Sequence, residues 1–299
     1  MRVIISGASG LIGSALTTQL TTDGHDVVRL VRRAAGPGEV RWDPANGLLE
    51  ADALAGADAV VHLAGAGIGD HRWTDDYKRE ILDSRVRSTT LLAERIAECS
   101  QRPRVLLSGS AIGFYGPSDA RDLDETSPRG EGFLADVCAQ WEASTVAASE
   151  AGVRVAHLRT GIVLTPAGGA LKKMLPLFKL GVGGKFGNGT QWQSWISLPD
   201  HVAATRFLLA NSVHGPVNLT APHPVDGAEF AATLGRVLHR PAKLPVPSFG
   251  PKLLLGGELA DALLFTGQKV LPRVLERTGY AFQHPTLDSA LRAVLGKVG

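Results

Sequence analysis

The sequence predicts an α/β fold: a Rossmann-type doubly wound parallel sheet with a smaller C-terminal part for substrate and helical packing. Three observations carry that expectation. Short β-branched runs alternate with helical stretches through the first half of the chain. The first such run leads directly into a glycine turn that opens a helix. No internal repeat or low-complexity tract breaks the pattern. Strands that alternate with helices need crossover connections, and crossovers build parallel β-α-β units.

"RVIIS" (2–6) reads as a buried strand because its apolar run is continuous and β-branched, and a helix follows from about Gly10 to Asp23. "HDVVRLVR" and "ADAVVHLAG" are the next strands, and Asp75 to Cys99 has long helical character. "RVLLSGSA" is a strand, "WEASTVAASEAG" a helix, "VRVAHLRTGIVL" a strand and "PVNLTAP" a late strand. From about Thr165 the texture changes, and "GVGGKFGNGTQWQSW" reads as a functional loop. After "RPAKLPVPSFGP" the chain turns helical, with Leu255, Leu259, Leu263 and Leu264 at helix spacing, a stripe expected to pack. The expected domains are 1–165 for a cofactor, with later strands returning to it, 166–247 for a substrate cleft, and 248–299 for a small helical unit.

Bulk properties set limits. The 299 residues are 44% hydrophobic and 20% charged, enough to bury a sizeable core, and the net charge of +2 makes no case for nucleic acid or an anionic membrane as partner. Cys99 and Cys138 have neither metal-ligand nor C-x-x-C spacing, so no metal site or disulfide framework is expected and a reducing cytoplasm fits. "MRVIISGASG" is too short an apolar run for a signal peptide, and "LLLGGELADALLF" is broken by Glu258 and Asp261.

"GASGLIG" places Gly7, Gly10 and Gly13 in a G-x-x-G-x-x-G frame at the first strand-to-helix turn, completed by Ser9, Leu11 and Ile12. Such a turn lets backbone N–H groups and a helix N-terminus approach a pyrophosphate. The second strand ends in Arg32 and Arg33, where an acidic residue would accept from the ribose of NAD. Guanidinium forks suit a 2′-phosphate instead, which points to NADP(H). After "VVH", the small Ala64 and Gly65 let the adenosine lie close to the backbone, while His62 reads equally as a buried core imidazole.

These segments, with "RWTDDYKREILDSRV", "GSAIGFYG", "FLADVCAQWE", "RTGIVL" and "WISLPDHVAA", resemble the extended short-chain dehydrogenase/reductases, the group that includes nucleotide-sugar epimerases. More narrowly, the chain is similar to the atypical epimerase-family branch, whose small C-terminal domain its tail resembles. The resemblance covers essentially the whole chain. It implies NADP(H) binding, with Leu63 and Ala64 lining the adenosine pocket, Arg32 at the 2′-phosphate, Glu80 and Arg85 as cofactor contacts, and Arg159 near the nicotinamide end. It also extends to a homodimer and a small-molecule substrate, neither of which the sequence marks. Asp200 matches an acidic position that ties substrate domain to core, but an N-cap for "HVAATRFLLA" is the expected role.

The resemblance also exposes a gap. Ordinary members carry Tyr and Lys four residues apart on one helix face. A phenol with a pKa near about 10 needs that ammonium beside it to move protons near neutrality. Aligned on Glu142, the two positions hold Leu134 and Cys138. Leucine has no proton to give, and a cysteine is no fixed cation. Cys138 as a thiolate nucleophile lacks a nearby base in sequence. Ser108 or Ser110 can supply the serine partner, and Ser110, Tyr115 or Asp136 a relocated acid, with Tyr115 also readable as packing under the loop. Trp192 and Trp195 can stack on a flat substrate ring or pack between domains. Two functions follow: an NADP(H)-dependent oxidoreductase or epimerase, or a catalytically weak NADP(H)-sensing module acting through protein partners.

Overall fold

The computed structural model describes residues 1–118, 120–242 and 245–297; Lys243 and Leu244 of the "RPAKLPVPSFGP" stretch and the last two positions of the C-terminal unit lie outside them. The chain opens with β1 (Arg2–Ser6), α1 (Leu11–Thr22), β2 (Asp26–Val31), β3 (Glu39–Arg41), β4 (Ala59–His62), α2 (Asp75–Glu98) and β5 (Val105–Ala111). There follow β6 (Asp122–Leu123), α3 (Phe133–Ala143), α4 (Val146–Glu150), β7 (Arg154–Thr160), β8 (Ile162–Leu164) and α5 (Gly169–Lys179). Next come β9 (Trp192–Gln193), β10 (Trp195–Ser197), α6 (Leu198–Ala210), β11 (Gly215–Leu219), β12 (Val225–Asp226) and α7 (Gly227–Leu238). The C-terminal part is α8 (Phe249–Leu255), α9 (Gly257–Ala260), β13 (Lys269–Val270), α10 (Arg273–Arg277) and α11 (Leu287–Val294).

Seven strands pair in the order β11-β7-β5-β4-β1-β2-β3, every pair parallel. Val3 and Ile5 of β1 point into the core shared with α1 and α6, and Ile4 points into the core shared with α2. Both faces are therefore covered, which is why these strands read as unbroken apolar runs. The strand order reverses between β1 and β4, so the ligand crevice of such a sheet lies beyond their C-terminal ends.

Three expectations are corrected. The single strand expected over "VRVAHLRTGIVL" breaks at Gly161: β7 stays in the main sheet and β8 leaves to pair with β10. A Cβ at Gly161 would lie 2.5 Å from the Ser194 carbonyl oxygen, so the departing chain passes backbone against backbone. The helix expected over 141–152 is two, α3 and α4, hinged at Ser144 and Thr145. The C-terminal leucine stripe is not one packed helix either. Gly256 (φ +89°) separates α8 from α9, a π-helical turn covers Asp261–Phe265, and of the four leucines only Leu259 is buried.

Asp200 also departs from its expected role. Ser197 caps α6, its Oγ accepting from the Asp200 N–H (3.1 Å). The fully buried Asp200 carboxylate instead accepts from the Gln283 N–H (2.8 Å), the His284 N–H (2.9 Å), the Tyr280 hydroxyl (3.0 Å) and the Ser197 hydroxyl (2.9 Å). It ties the C-terminal segment to α6. Removing this charge leaves two backbone donors and a phenol short of their acceptor, so Asp200→Ala is expected to cost about 3–5 kcal/mol by denaturant unfolding, against under about 1 for a surface change such as Asp75→Ala.

Candidate cofactor and active site

At the end of β1 the chain turns so tightly that side chains have no room. Gly7 has φ +71°, and a Cβ there would lie 2.7 Å from the Leu63 carbonyl carbon, beyond β4. A Cβ on Gly13 would overlap the Gly7 carbonyl. The Gly10 N–H donates to that same carbonyl (3.0 Å). Gly10 is the N-cap of α1 and offers no side chain, so the N–H groups of Leu11, Ile12 and Gly13 at the first turn have no partner within the helix. Ser9 and Gly10 are exposed, and the Leu11 side chain packs against Gly168. The result is a cradle of backbone donors with positive dipole at the switch point, and it fits a dinucleotide pyrophosphate.

The flanking residues separate. Arg32 is exposed at the end of β2. Arg33 is occupied: its two terminal nitrogens hold Glu39 at 2.6 and 2.7 Å, and Glu39 also pairs with Arg29. The hydrogen bond from Arg33, then the Gly36 N–H, holds the Glu39 carboxyl down to about 2. Of the two expected 2′-phosphate forks, Arg32 is therefore the one that projects without an ion pair among the described residues. His62 is a core imidazole, fully buried between the Ser6 hydroxyl (2.5 Å) and the Ser88 hydroxyl (3.1 Å). Burial, with the charge of Arg85 behind it, pushes its pKa down to about 3. Leu63 and Ala64 are half-buried, and Glu80 lies exposed on α2.

Arg85 is the unusual cation. Its guanidinium lies over the Trp141 ring (5.0 Å) and so close to Gly65 that a Cβ there would be 3.3 Å from it. Its one hydrogen bond goes to the Ile81 carbonyl of its own helix (2.9 Å), and no carboxylate among the described residues pairs with it. Burial lowers its pKa. Partly buried cations normally find an anion in the protein.

The remaining candidates converge on a buried network. Ser110, at the end of β5, donates to Glu142 (2.7 Å), and Arg159 of β7 clasps the same carboxylate through Nε and Nη2 (both 2.8 Å). Arg159 Nη1 donates to the Tyr115 hydroxyl (3.0 Å), and that hydroxyl donates to Asn218 of β11 (2.7 Å). The guanidinium also stacks 3.5 Å from the Phe114 ring centre. Burial opposes both charges, but the pair outweighs it: the Glu142 pKa is lowered and that of Arg159 raised. Arg159 is only 4% exposed, so as a cofactor contact it would act through the N–H groups that Glu142 and Tyr115 leave over. Burial pushes the Tyr115 phenol up to about 12, against the pull of Arg159.

Leu134 and Cys138 face the same place from α3, where a Cβ on Gly113 would lie 3.2 Å from Leu134 Cβ and 3.7 Å from Cys138 Sγ. Burial, then the charge of Glu142, pushes the Cys138 thiol up to about 11, which makes it a packing residue. Ser108 is buried within β5, and Asp136 forms an ion pair with Arg129 at the surface. Trp195 is fully buried and cannot meet a substrate; Trp192 lines a cavity of ≈ 550 Å³ with Ser118, Asn188, Thr190, Gln191 and Phe265. Lys269 sits over the Trp192 ring (4.6 Å). The Glu142–Arg159–Tyr115 chain joins residues remote in sequence, and no spacing along the chain signals it.

Two outcomes are expected. Glu142→Gln and Arg159→Met each strand a buried charge or its donors and should destabilise by about 3–5 kcal/mol in urea, while Glu142→Met/Arg159→Met costs less than their sum. His62 and His201, whose folded values near 3 and 4 lie below the ordinary 6.5, are both buried and neutral. The unfolded chain binds their protons first, so the stability they contribute is complete above about 6.5 and is lost as pH falls toward 4. Melting temperature should drop from pH 7 to pH 5, and His201→Gln should flatten that slope.

The pattern of the NAD dependent epimerase/dehydratase family matches residues 3–220, and that of a domain of unknown function (DUF1731) matches residues 246–294. An epimerase family protein of Mycobacterium bovis is 45% identical over 291 residues, covering 97% of this chain and 96% of its own. The human epimerase family protein SDR39U1 is 39% identical over 299 residues, covering 99% of this chain and 100% of its own. A crystal structure of the human protein with NADPH superposes with a TM-score of 0.91 at 38% identity over 100% of both chains. That of a Corynebacterium glutamicum nucleoside-diphosphate sugar epimerase does so at 0.81 and 39%, over 99% of this chain and 58% of that one.

Proposed function

The chain belongs to the NAD dependent epimerase/dehydratase family, and from that premise we propose that it binds NADP(H) across the Gly7–Gly13 turn and acts as an oxidoreductase or epimerase on a small, nucleotide-sugar-like substrate. The observation that carries the cofactor reading is Arg85, a cation held between Gly65 and Trp141 with no carboxylate partner among the described residues, at the crevice where the sheet order reverses. A ligand phosphate is the anion it lacks. The backbone donors of the glycine turn take the pyrophosphate, Leu63 and Ala64 border the adenosine, and Arg32 meets the 2′-phosphate. The human relative crystallised with NADPH supports the same choice of cofactor. When bound, the nicotinamide supplies hydride exchange.

The substrate reading rests on the ≈ 550 Å³ cavity, whose Asn188, Thr190 and Gln191 amides and hydroxyl beside the Trp192 and Phe265 rings suit a polar molecule with a flat portion. Its proton chemistry differs from that of ordinary relatives. Tyr115 near 12, Cys138 near 11 and His62 near 3 are all poorly matched to exchange a proton at neutrality. An active enzyme on this scaffold would then draw its proton from water or from the substrate. The hydrogen bond from Ser110 to Glu142 and the two that hold Tyr115 favour a second reading, a cofactor-sensing module with little turnover. The reading places the protein in the cytoplasm, in keeping with the buried Cys99 and Cys138, and allows a homodimer.

Titration of purified protein by cofactor and tryptophan fluorescence tests the cofactor reading. NADPH is expected to bind at least about tenfold tighter than NADH, Arg32→Ala to erase that preference, and Arg85→Met to weaken both cofactors by about tenfold or more. Failure to bind either cofactor would overturn it. With binding established, single-turnover oxidation of NADPH against carbonyl compounds and sugar nucleotides separates the two functions. Oxidation of NADPH by any member of the panel supports the enzyme; binding without oxidation across the panel leaves the sensing module.

A further inference from the structure

One face of the molecule, built by α5, the segment 180–187 and α8, differs from the rest in two respects at once. It is apolar at its tips: Leu180, Phe249, Leu253 and Leu254 are 76%, 74%, 77% and 73% exposed, with Leu177 and Val182 beside Leu180. Most of the large apolar side chains exposed among the described residues are these six. Isolated exposed leucines are ordinary, but a gathering of them is not. The face is also drawn from the two stretches 151–199 and 230–257, in which no Asp or Glu occurs, while Lys172, Lys179, Lys185, Arg240 and Lys252 do.

Contacts tie the segment after α5 to the chain that leads into α8. Arg240 Nε donates to the Lys179 carbonyl (2.9 Å), the Val246 N–H to the Lys185 carbonyl (2.8 Å), and the Gly187 N–H to the Val246 carbonyl (3.2 Å). Arg72 holds α8 in place through the Leu253 and Leu254 carbonyls (2.5 and 3.1 Å), which leaves their side chains outward. A cavity of ≈ 370 Å³ opens beside α5, with Leu175, Leu238 and Val294 along it, Lys179, Arg240 and Lys297 at its edges, and no carboxylate among the described residues that line it. The acids that border α8 are already paired, Glu258 with Lys78 (2.5 Å) and Asp261 with Lys252 (2.8 Å), and Asp70 on the neighbouring loop folds back onto Gly67.

Protruding apolar tips ringed by cations are the pattern of a surface that enters the headgroup and acyl boundary of a bilayer, with lysine stems lying along the apolar part and their charges at the phosphates. We propose that this face docks the protein on a membrane surface containing anionic lipids, with Leu180, Phe249, Leu253 and Leu254 inserting and Lys172, Lys179 and Arg240 meeting lipid phosphates. The net charge of +2 does not announce this, because the acids that balance the chain lie elsewhere along it. Among the described residues no helix is long and apolar enough to cross a membrane, so the attachment is peripheral. The proposal goes beyond the cofactor reading and does not depend on it.

Flotation of the full-length protein tests it, using vesicles of phosphatidylcholine alone and vesicles in which phosphatidylglycerol replaces part of it. The bound fraction should rise at least about fivefold with the anionic lipid and fall again at high salt. Leu253→Glu/Leu254→Glu should abolish flotation, and Lys172→Glu/Lys179→Glu should reduce it severalfold, with melting temperature and NADPH affinity unchanged because all four positions are exposed. No flotation, equal flotation on neutral vesicles, or flotation that survives the leucine double variant would each overturn it. So would light scattering that shows a dimer split by Leu253→Glu/Leu254→Glu, since the face would then be a contact between copies.

Discussion

The buried ion pair between Glu142 and Arg159 is the constraint around which the C-terminal side of the sheet is arranged. A charge clasped at two points in a low-dielectric interior has few geometries open to it, and each must satisfy every remaining donor. Here the pair fixes α3 against β7 and β5, and it passes through Tyr115 to Asn218 on β11. Asn218 in turn donates to the Leu271 carbonyl (2.9 Å), and its N–H, like that of Val274, donates to Glu125 (3.0 and 3.2 Å). One continuous polar chain thus runs from the end of β5 into the C-terminal part. Asp200 makes a second, independent link from α6 to Tyr280 and His284.

That arrangement bears directly on chemistry. One face of α3 presents Leu134, Cys138 and Glu142, and the first two pack on Gly113. The polar groups nearby are engaged with one another. A hydroxyl whose hydrogen bond already goes to a carboxylate, or a phenol raised to about 12, is a structural group before it is a catalytic one. Arg85, which pairs with no carboxylate among the described residues, lies on another element, α2, against Gly65 beyond β4.

Much of this was legible in the sequence, wherever local physics decides. The β1 strand, the glycine turn, the long α2 and the alternation that builds a parallel sheet follow from apolar periodicity and from the exclusion of Cβ atoms at Gly7 and Gly13. That Leu134 and Cys138 stand at the tyrosine and lysine positions is what the resemblance to ordinary short-chain reductases implies, drawn from residue identity in the segment 133–142.

Other features depended on partners distant in the chain. Only the folded structure set Arg33 against Glu39 and left Arg32 projecting, because both arginines look alike until β3 is laid beside β2. Gly161 broke a strand that reads as continuous, since what crowds it, Ser194, is remote in sequence. Asp200 looked like a cap and became a tether because its acceptor geometry meets the segment around Gln283. Trp192 and Trp195, alike in sequence, divided into a cavity wall and a core residue. The sequence by itself determined the sheet and the glycine turn after β1, both consequences of periodicity and spacing along the chain. Tertiary structure alone decided which charges are engaged and which are exposed, because a charge is governed by its neighbours in space.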